Sequence, residues 1–163
     1  MKRILMIFGV VMTMCVTTAK SQSMGQTYNT ALGAKLWRDG GGITVKHFVG
    51  NNNALEGIGY FWNHGTRITG LYEFHFDIAG APGLKWYVGP GAHVGFYNSG
   101  KYYDGYGNGI GGTFIGIDGV LGLDYKFNKA PINLSLDWQP SIEFGDGRGF
   151  WGGWGGLGIR YTF

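Results

Sequence analysis

From residue 27 onward the chain sustains no helical period of useful length; it alternates instead. Extended segments near 27–37, 43–50, 54–63, 67–78, 84–97, 113–127, 131–143 and 151–163 carry apolar and polar side chains in turn. Breaks rich in Gly, Asn and Pro separate them, among them Arg38-Asp39-Gly40-Gly41-Gly42, Asn51-Asn52-Asn53 and Gly80-Ala81-Pro82-Gly83. A period of two sends neighbouring side chains to opposite faces of a strand, and those residue types reach the dihedrals of tight turns. Eight strands joined by short turns predict an all-β, antiparallel, up-and-down barrel, closed so that no edge is left unpaired.

The direction of the faces is the next constraint. In 131–143, Ile132, Leu134, Leu136, Trp138 and Ile142 oppose Asn133, Ser135, Asp137, Gln139, Ser141 and Glu143. In 113–127, Ile115, Ile117, Leu121, Leu123, Tyr125 and Phe127 oppose Asp118, Asp124 and Lys126; in 67–78, Ile68, Tyr72, Phe74, Phe76 and Ile78 oppose Arg67, Glu73, His75 and Asp77. Segment 54–63 is ambiguous, because Glu56 shares a face with Ile58, Tyr60 and Trp62. An eight-stranded barrel has room inside only for side chains to fill it. Aromatic residues make up 17% of the chain, and the uniform apolar faces overfill such a bore. The polar and charged face fits, so the lumen is expected to be filled by polar and charged side chains. A soluble barrel with its apolar face inward is the alternative.

Strand length and loop asymmetry agree with an apolar exterior facing lipid. A tilted membrane strand takes about 9–11 residues. If the chain starts on the periplasmic side, the long connections Asn98 to Gly112 and Gly145 to Gly149 both fall outside, as outer-membrane barrels prefer. Trp86, Tyr125, Phe127, Tyr161 and Phe163 then ring the periplasmic rim, and Phe96, Phe144 and Trp151 the external one. Rings of this kind are favoured at both membrane interfaces. The expected location is the bacterial cell outer membrane, with lipid and lipopolysaccharide around the wall.

Export needs a signal. Lys2 and Arg3 precede the apolar run Ile4 to Val16, followed by Ala19-Lys20-Ser21. That is the layout of a cleaved secretory signal peptide over residues 1–21, with the barrel domain over 22–163; the apolar run is short for a membrane-spanning helix. Without Lys2, Arg3 and Lys20, the 13 basic residues fall to 10, against 10 acidic ones. No basic surface remains to suggest nucleic acid. The sole cysteine, Cys15, lies in the signal behind Met12-Thr13-Met14, a poor lipoprotein box, so neither disulfides nor a Cys-based metal site is expected.

The stretch Gly156 to Phe163, GLGIRYTF, stays regular to its last residue. Such a strand must pair with the first one, since an open edge in hydrocarbon leaves backbone groups unsatisfied. Gly158, Tyr161 and Phe163 resemble the C-terminal signal that the barrel-assembly machinery reads in bacterial outer-membrane proteins; Gly156 stands where the usual pattern has a polar residue. Over the exported chain the sequence resembles the small eight-stranded outer-membrane barrels, and within them the porin-like family common in Bacteroidetes. The stretches that carry it include Thr30-Ala31-Leu32-Gly33, Gly42 to Phe48, Leu71-Tyr72-Glu73-Phe74-His75, Trp86 to His93 and Pro131 to Trp138. That resemblance implies fold and location, and no activity.

The candidate site is the lumen. Lys35, Lys46, Arg67, Lys85, Lys126 and Arg160 are expected to point inward, against Glu56, Glu73, Asp77, Asp118, Asp124, Asp137 and Glu143, with His75 and His93 among them. Buried charges are tolerated when paired, so the reading is a mutually paired network that plugs the bore. A selective pore would need a charge imbalance or a wider barrel. Glu73-x-His75-x-Asp77, with His93 on a neighbouring strand, is conceivable as a metal or acid–base cluster, but residues two apart on a strand lie about 7 Å apart. No metal, cofactor or catalytic residue is therefore assigned. Among small outer-membrane barrels, lipid A deacylases of similar size carry His-x-Ser; here Val49, Thr66, Asp77 and Gly95 follow His47, His64, His75 and His93 at that spacing, and none matches. Palmitoyl-transferring barrels begin with an amphipathic helix, for which the few residues expected between the cleavage site and Thr27 leave no room.

Two surfaces suit contact with other molecules. The segment Asn98 to Gly112, with Lys101, Tyr102, Tyr103 and Tyr106, joins tyrosines to flexible glycines. Trp151, Gly153 and Gly155 would leave a shallow groove facing lipid, unless Trp138 on the adjacent strand fills it. The function expected is non-enzymatic: a structural outer-membrane barrel or an accessory subunit of a larger envelope complex. A narrow small-solute pore is the alternative, and a lipid A-modifying enzyme ranks behind both.

Overall fold

The computed structural model describes residues 28–97, 112–144 and 149–163. The expected signal peptide, Cys15 and the contact residues Lys101, Tyr102, Tyr103 and Tyr106 lie outside the described residues. The described chain forms eight strands: β1 (Thr30–Trp37), β2 (Gly40–Phe48), β3 (Asn53–Trp62), β4 (Gly65–Asp77), β5 (Leu84–Tyr97), β6 (Gly112–Lys126), β7 (Ile132–Phe144) and β8 (Phe150–Thr162). Each pairs antiparallel with its neighbours in sequence, and β1 pairs with β8, so the sheet closes on itself. The closing seam runs from Ala31 opposite Thr162 to Leu36 opposite Leu157. Beyond it, the Phe163 amide donates to Thr30 at 2.8 Å and the Asn29 amide to Phe163 at 3.3 Å.

Each of the eight expected segments holds a strand. The main departure at the ends is Gly40-Gly41-Gly42, read from sequence as a turn, which opens β2 instead. Gly40 and Gly42 lie opposite Trp62 and Tyr60, and a Cβ on either would run into the β3 backbone. Glycine marks both turns and strands in close approach, and here the second use prevails. Pairing between β4 and β5 lapses where Gly89 and Pro90 pass Tyr72 and Glu73; proline has no N–H to give the ladder.

The wall is apolar outside. Leu32, Ile43, Leu55, Ile68, Phe74, Phe96, Ile117, Leu121, Leu136, Trp138 and Ile159 are all exposed, spread over every strand. The inner positions of the same strands hold Lys35, Lys46, Glu56, Arg67, Glu73, His75 and Arg160, each 2% exposed or less. This is the reverse of a soluble domain, where such charged residues are almost never fully buried. The ambiguous face of β3 points inward as a whole, taking Ala54, Glu56, Ile58 and Tyr60 into the interior. The lumen is therefore more mixed than a polar filling. Ile58, Tyr60, Leu71, Tyr87, Val120 and Trp154 form an apolar cluster within it, with Trp37 and Trp62 against it.

A bulge between Gln139 and Ser141 interrupts the β7–β8 register. Residues directly opposite in an antiparallel pair share a face. Trp151 is opposite Ser141, which faces inward, and Trp154 is opposite the inward Gln139. The extra residue of the bulge thus turns two parts of β8 out of phase.

Candidate functional site in the barrel interior

The interior stacks in three levels, from the end bearing Tyr28 to the opposite end. The middle level is a charge network drawn from six strands. Arg160 of β8 pairs with Glu56 of β3, and also donates to Asn133 at 3.1 Å, Ser135 at 2.8 Å and Thr44 at 3.3 Å. Glu56 takes the Thr44 hydroxyl at 2.6 Å and lies 3.4 Å from Lys46 and 3.6 Å from Lys35. Lys46 continues to Glu73 at 2.7 Å, and Glu73 to His75 Nε2 at 2.8 Å. Lys35 meets Asp137 at 2.5 Å; the same carboxylate accepts from Tyr87 at 2.6 Å and from Gln139 at 2.9 Å. Two rings hold this level in place: Lys46 Nζ stands 4.3 Å over Tyr87, and Tyr87 stacks on His75.

These groups survive burial because each charge meets an opposite charge, and Glu56, Asp137 and Arg160 also meet neutral hydroxyl or amide groups, the condition for tolerating ions away from water. The alternation that predicts a strand also supplies the network, since one inward residue per two contributes to a shared level. Small residues make room. A Cβ on Gly122 would lie 2.6 Å from the Tyr87 ring, and one on Gly158 would lie 2.5 Å from Ser135 Oγ.

At the end farther from Tyr28 the interior turns aromatic. Trp154 packs against Trp37 at 5.0 Å, Trp62 at 5.3 Å and Tyr60 at 5.4 Å between ring centres. The Arg67 guanidinium stands 4.2 Å over Trp154 and pairs with Asp118, which also bonds His93 Nδ1 at 2.9 Å. His93 Nε2 lies 4.0 Å from Glu143. Both levels fill the interior with buried side chains.

The end bearing Tyr28 is open. Tyr28 donates to Asp124 at 3.2 Å, and Asn133 donates to it at 2.7 Å. Burial, and then the Asp124 charge beside it, pushes the Tyr28 phenol well above its ordinary range, so it remains a donor. Lys85 pairs with Asp77 at 3.2 Å, and Lys126 donates to the carbonyls of Phe127 and Ala130 at 2.7 Å each.

Of the residues expected inside, Lys35, Lys46, Glu56, Glu73, His75, Asp137 and Arg160 meet in the middle level. Arg67, His93, Asp118 and Glu143 gather toward the aromatic end, and Asp124 lies buried at the opposite one. Asp77, Lys85 and Lys126 keep the inward face but lie at the mouth and outside the network: the Asp77 side chain is 57% exposed and that of Lys85 21%. Glu73-x-His75-x-Asp77 divides accordingly. Glu73 and His75 bond each other, Asp77 leaves for the rim, and His93 belongs to a different level. Among the described residues no three His, Cys, Asp or Glu side chains group as a metal site.

The groove expected along Trp151, Gly153 and Gly155 does not form as one surface. The bulge leaves Trp151 on the side of Ser141, with Gly153 beneath its indole, while Gly155 is opposite the outward Trp138. Trp151 is thereby also corrected from the lipid-facing ring to the inner side of the rim. Trp138 donates its indole N–H to the Gly152 carbonyl at 2.9 Å, lying across β8. At the seam, Tyr161 and Phe163 are exposed and packed edge to face, whereas Gly158 points inward beside Arg160.

The aromatic level is what sequence reading missed. Trp37 and Trp62 each continue the inward face of their strands, two places beyond Lys35 and Tyr60, and Trp154 follows by counting back from Arg160 in steps of two. Compared with protein-family models, curated proteins and solved structures, the chain matches none of them.

Proposed function

We propose that the protein is an integral barrel of the bacterial outer membrane, without catalytic activity, serving as a structural element or an accessory subunit of a larger envelope complex. One observation carries the reading: the polarity of the wall is reversed, with apolar side chains outside and paired charges inside. In water that exterior would aggregate, since soluble monomers rarely expose continuous apolar surface of this extent. In a bilayer it is matched by lipid, and closure satisfies the backbone. Its strand number and aromatic rims support kinship with the small outer-membrane barrels that the sequence resembles, including the porin-like family of Bacteroidetes. The side-chain filling favours a plug over the narrow pore, because conduction needs a continuous aqueous path.

The test is a pull-down of the tagged protein from native outer membranes in mild detergent, read by mass spectrometry. A reproducible stoichiometric partner supports the accessory role. Recovery of the barrel alone leaves the free-standing structural role. Recovery in the soluble fraction without detergent overturns the membrane assignment.

A further inference from the structure

The open mouth beside Tyr28 holds a cavity of about 400 Å3, a size typical of small-ligand sites. Its walls are pinned before any ligand arrives. The turn after β2 is tied by the Val49 amide to Asn53 at 2.9 Å, and the turn after β4 by the Ala81 amide to Ile78 at 3.1 Å. The Lys126 amide joins that second turn to β6 through Gly83 at 2.9 Å. The rings of Tyr28 and Phe48 pack edge to face at 5.1 Å and line the same space.

Among the described residues, two charges that line this cavity make no direct ion pair. Asp124 is buried and receives only neutral donors, Tyr28 and Asn133. The other buried carboxylates Glu56, Glu73, Asp118 and Asp137 each have a lysine or arginine against them. Lys126 has only carbonyl partners, Phe127 and Ala130. Among the described residues neither Asp124 nor Lys126 forms an ion pair, although both face the cavity from one strand. Their Cα atoms stand two residues apart on β6, about 7 Å along the strand. An extended dipeptide spans about the same distance between its charged ends.

We propose that this mouth binds a short zwitterionic peptide of about two residues, its ammonium on Asp124 and its carboxylate on Lys126. The Asp77–Lys85 pair flanks the opening, and Tyr28 and Phe48 provide the apolar side. An ammonium supplies the charge-assisted donor that Asp124 lacks, and a carboxylate replaces carbonyls that water can satisfy equally well.

Isothermal titration of alanyl-alanine into protein purified in detergent micelles tests the assignment. Saturable binding is expected, weakened about tenfold or more by Lys126→Gln and by Asp124→Asn, as for loss of a charge-assisted hydrogen bond. N-acetylation or C-amidation of the peptide should weaken it similarly, and free alanine is too short to reach both groups. Absence of saturable heat with the native protein overturns the proposal, as does equal affinity for the doubly blocked peptide. Asp124→Asn touches Tyr28 and Asn133 and can disturb folding. Lys126→Gln lies at the rim and keeps the paired charges intact, so unchanged affinity in that variant also overturns it.

Discussion

Arg160 on β8 and Glu56 on β3 meet as an ion pair inside the barrel, 104 residues apart in sequence. The contact joins the last strand to the third through the bore, without passing through the sheet. Removing either partner leaves the other charge short of compensation in a site closed to water. Arg160→Met or Glu56→Gln is expected to cost about 3–5 kcal/mol. The double variant should cost clearly less than the two losses added together. Denaturant unfolding in lipid vesicles measures all three, and simple additivity would mean that the pair does not act as a unit.

Depth-dependence checks the exterior. Leu121 lies midway along β6 and Tyr161 near the end of β8, both exposed. Leu121→Arg should destabilise the protein folded in vesicles by about 2–4 kcal/mol, and Tyr161→Arg by about 0–1 kcal/mol. Equal effects at the two positions would argue against a bilayer around this wall.

Glycines divide by what faces them. Gly33 is opposite Arg160 at the seam, and a Cβ there collides with the β8 backbone, whereas Gly70 on the outer wall has open space where its Cβ would be. Gly33→Ala should therefore prevent closure, visible as loss of the compact, heat-sensitive band on cold gels. Gly70→Ala should leave that band intact and raise stability by about 0.5–1 kcal/mol, since glycine in a strand carries that penalty.

Two levels of buried side chains lie across the interior. Trp154→Ala should cost about 3–5 kcal/mol by opening the aromatic level. It should still give no conductance steps in planar bilayers, because the Lys35–Asp137 and Arg160–Glu56 level remains across the path. Steps in the native protein would restore the narrow-pore reading; steps only in the variant would show that the charged level does not seal.

The strands were legible because outward and inward residues alternate with little interference, as in β6 and β7. The charges of the middle level were legible for the same reason: Lys35, Lys46, Glu73, Asp137 and Arg160 each fall on the side of their strand opposite the apolar wall. Segment 54–63 resisted because its strand passes from the charged level at Glu56 to the aromatic one at Tyr60, so both faces look apolar. Trp151 was misplaced because a bulge shifts phase without any sequence mark stronger than two neighbouring glycines. Asp77 and Lys85 had the right parity and lay too near the end of their strands to be enclosed. Parity gives the face, and depth decides whether that face is dry.

The middle level draws its charges from β1, β2, β3, β4, β7 and β8, so no strand owns its own electrostatic partner. A substitution that survives there must be answered by another elsewhere in the chain, while the outer wall asks only for an apolar side chain of nearly any shape. Descendants of such a sequence would drift apart quickly on the outside and change in concert within. Kinship in a protein of this construction would be recorded less in matching residues than in correlated pairs far apart in the chain.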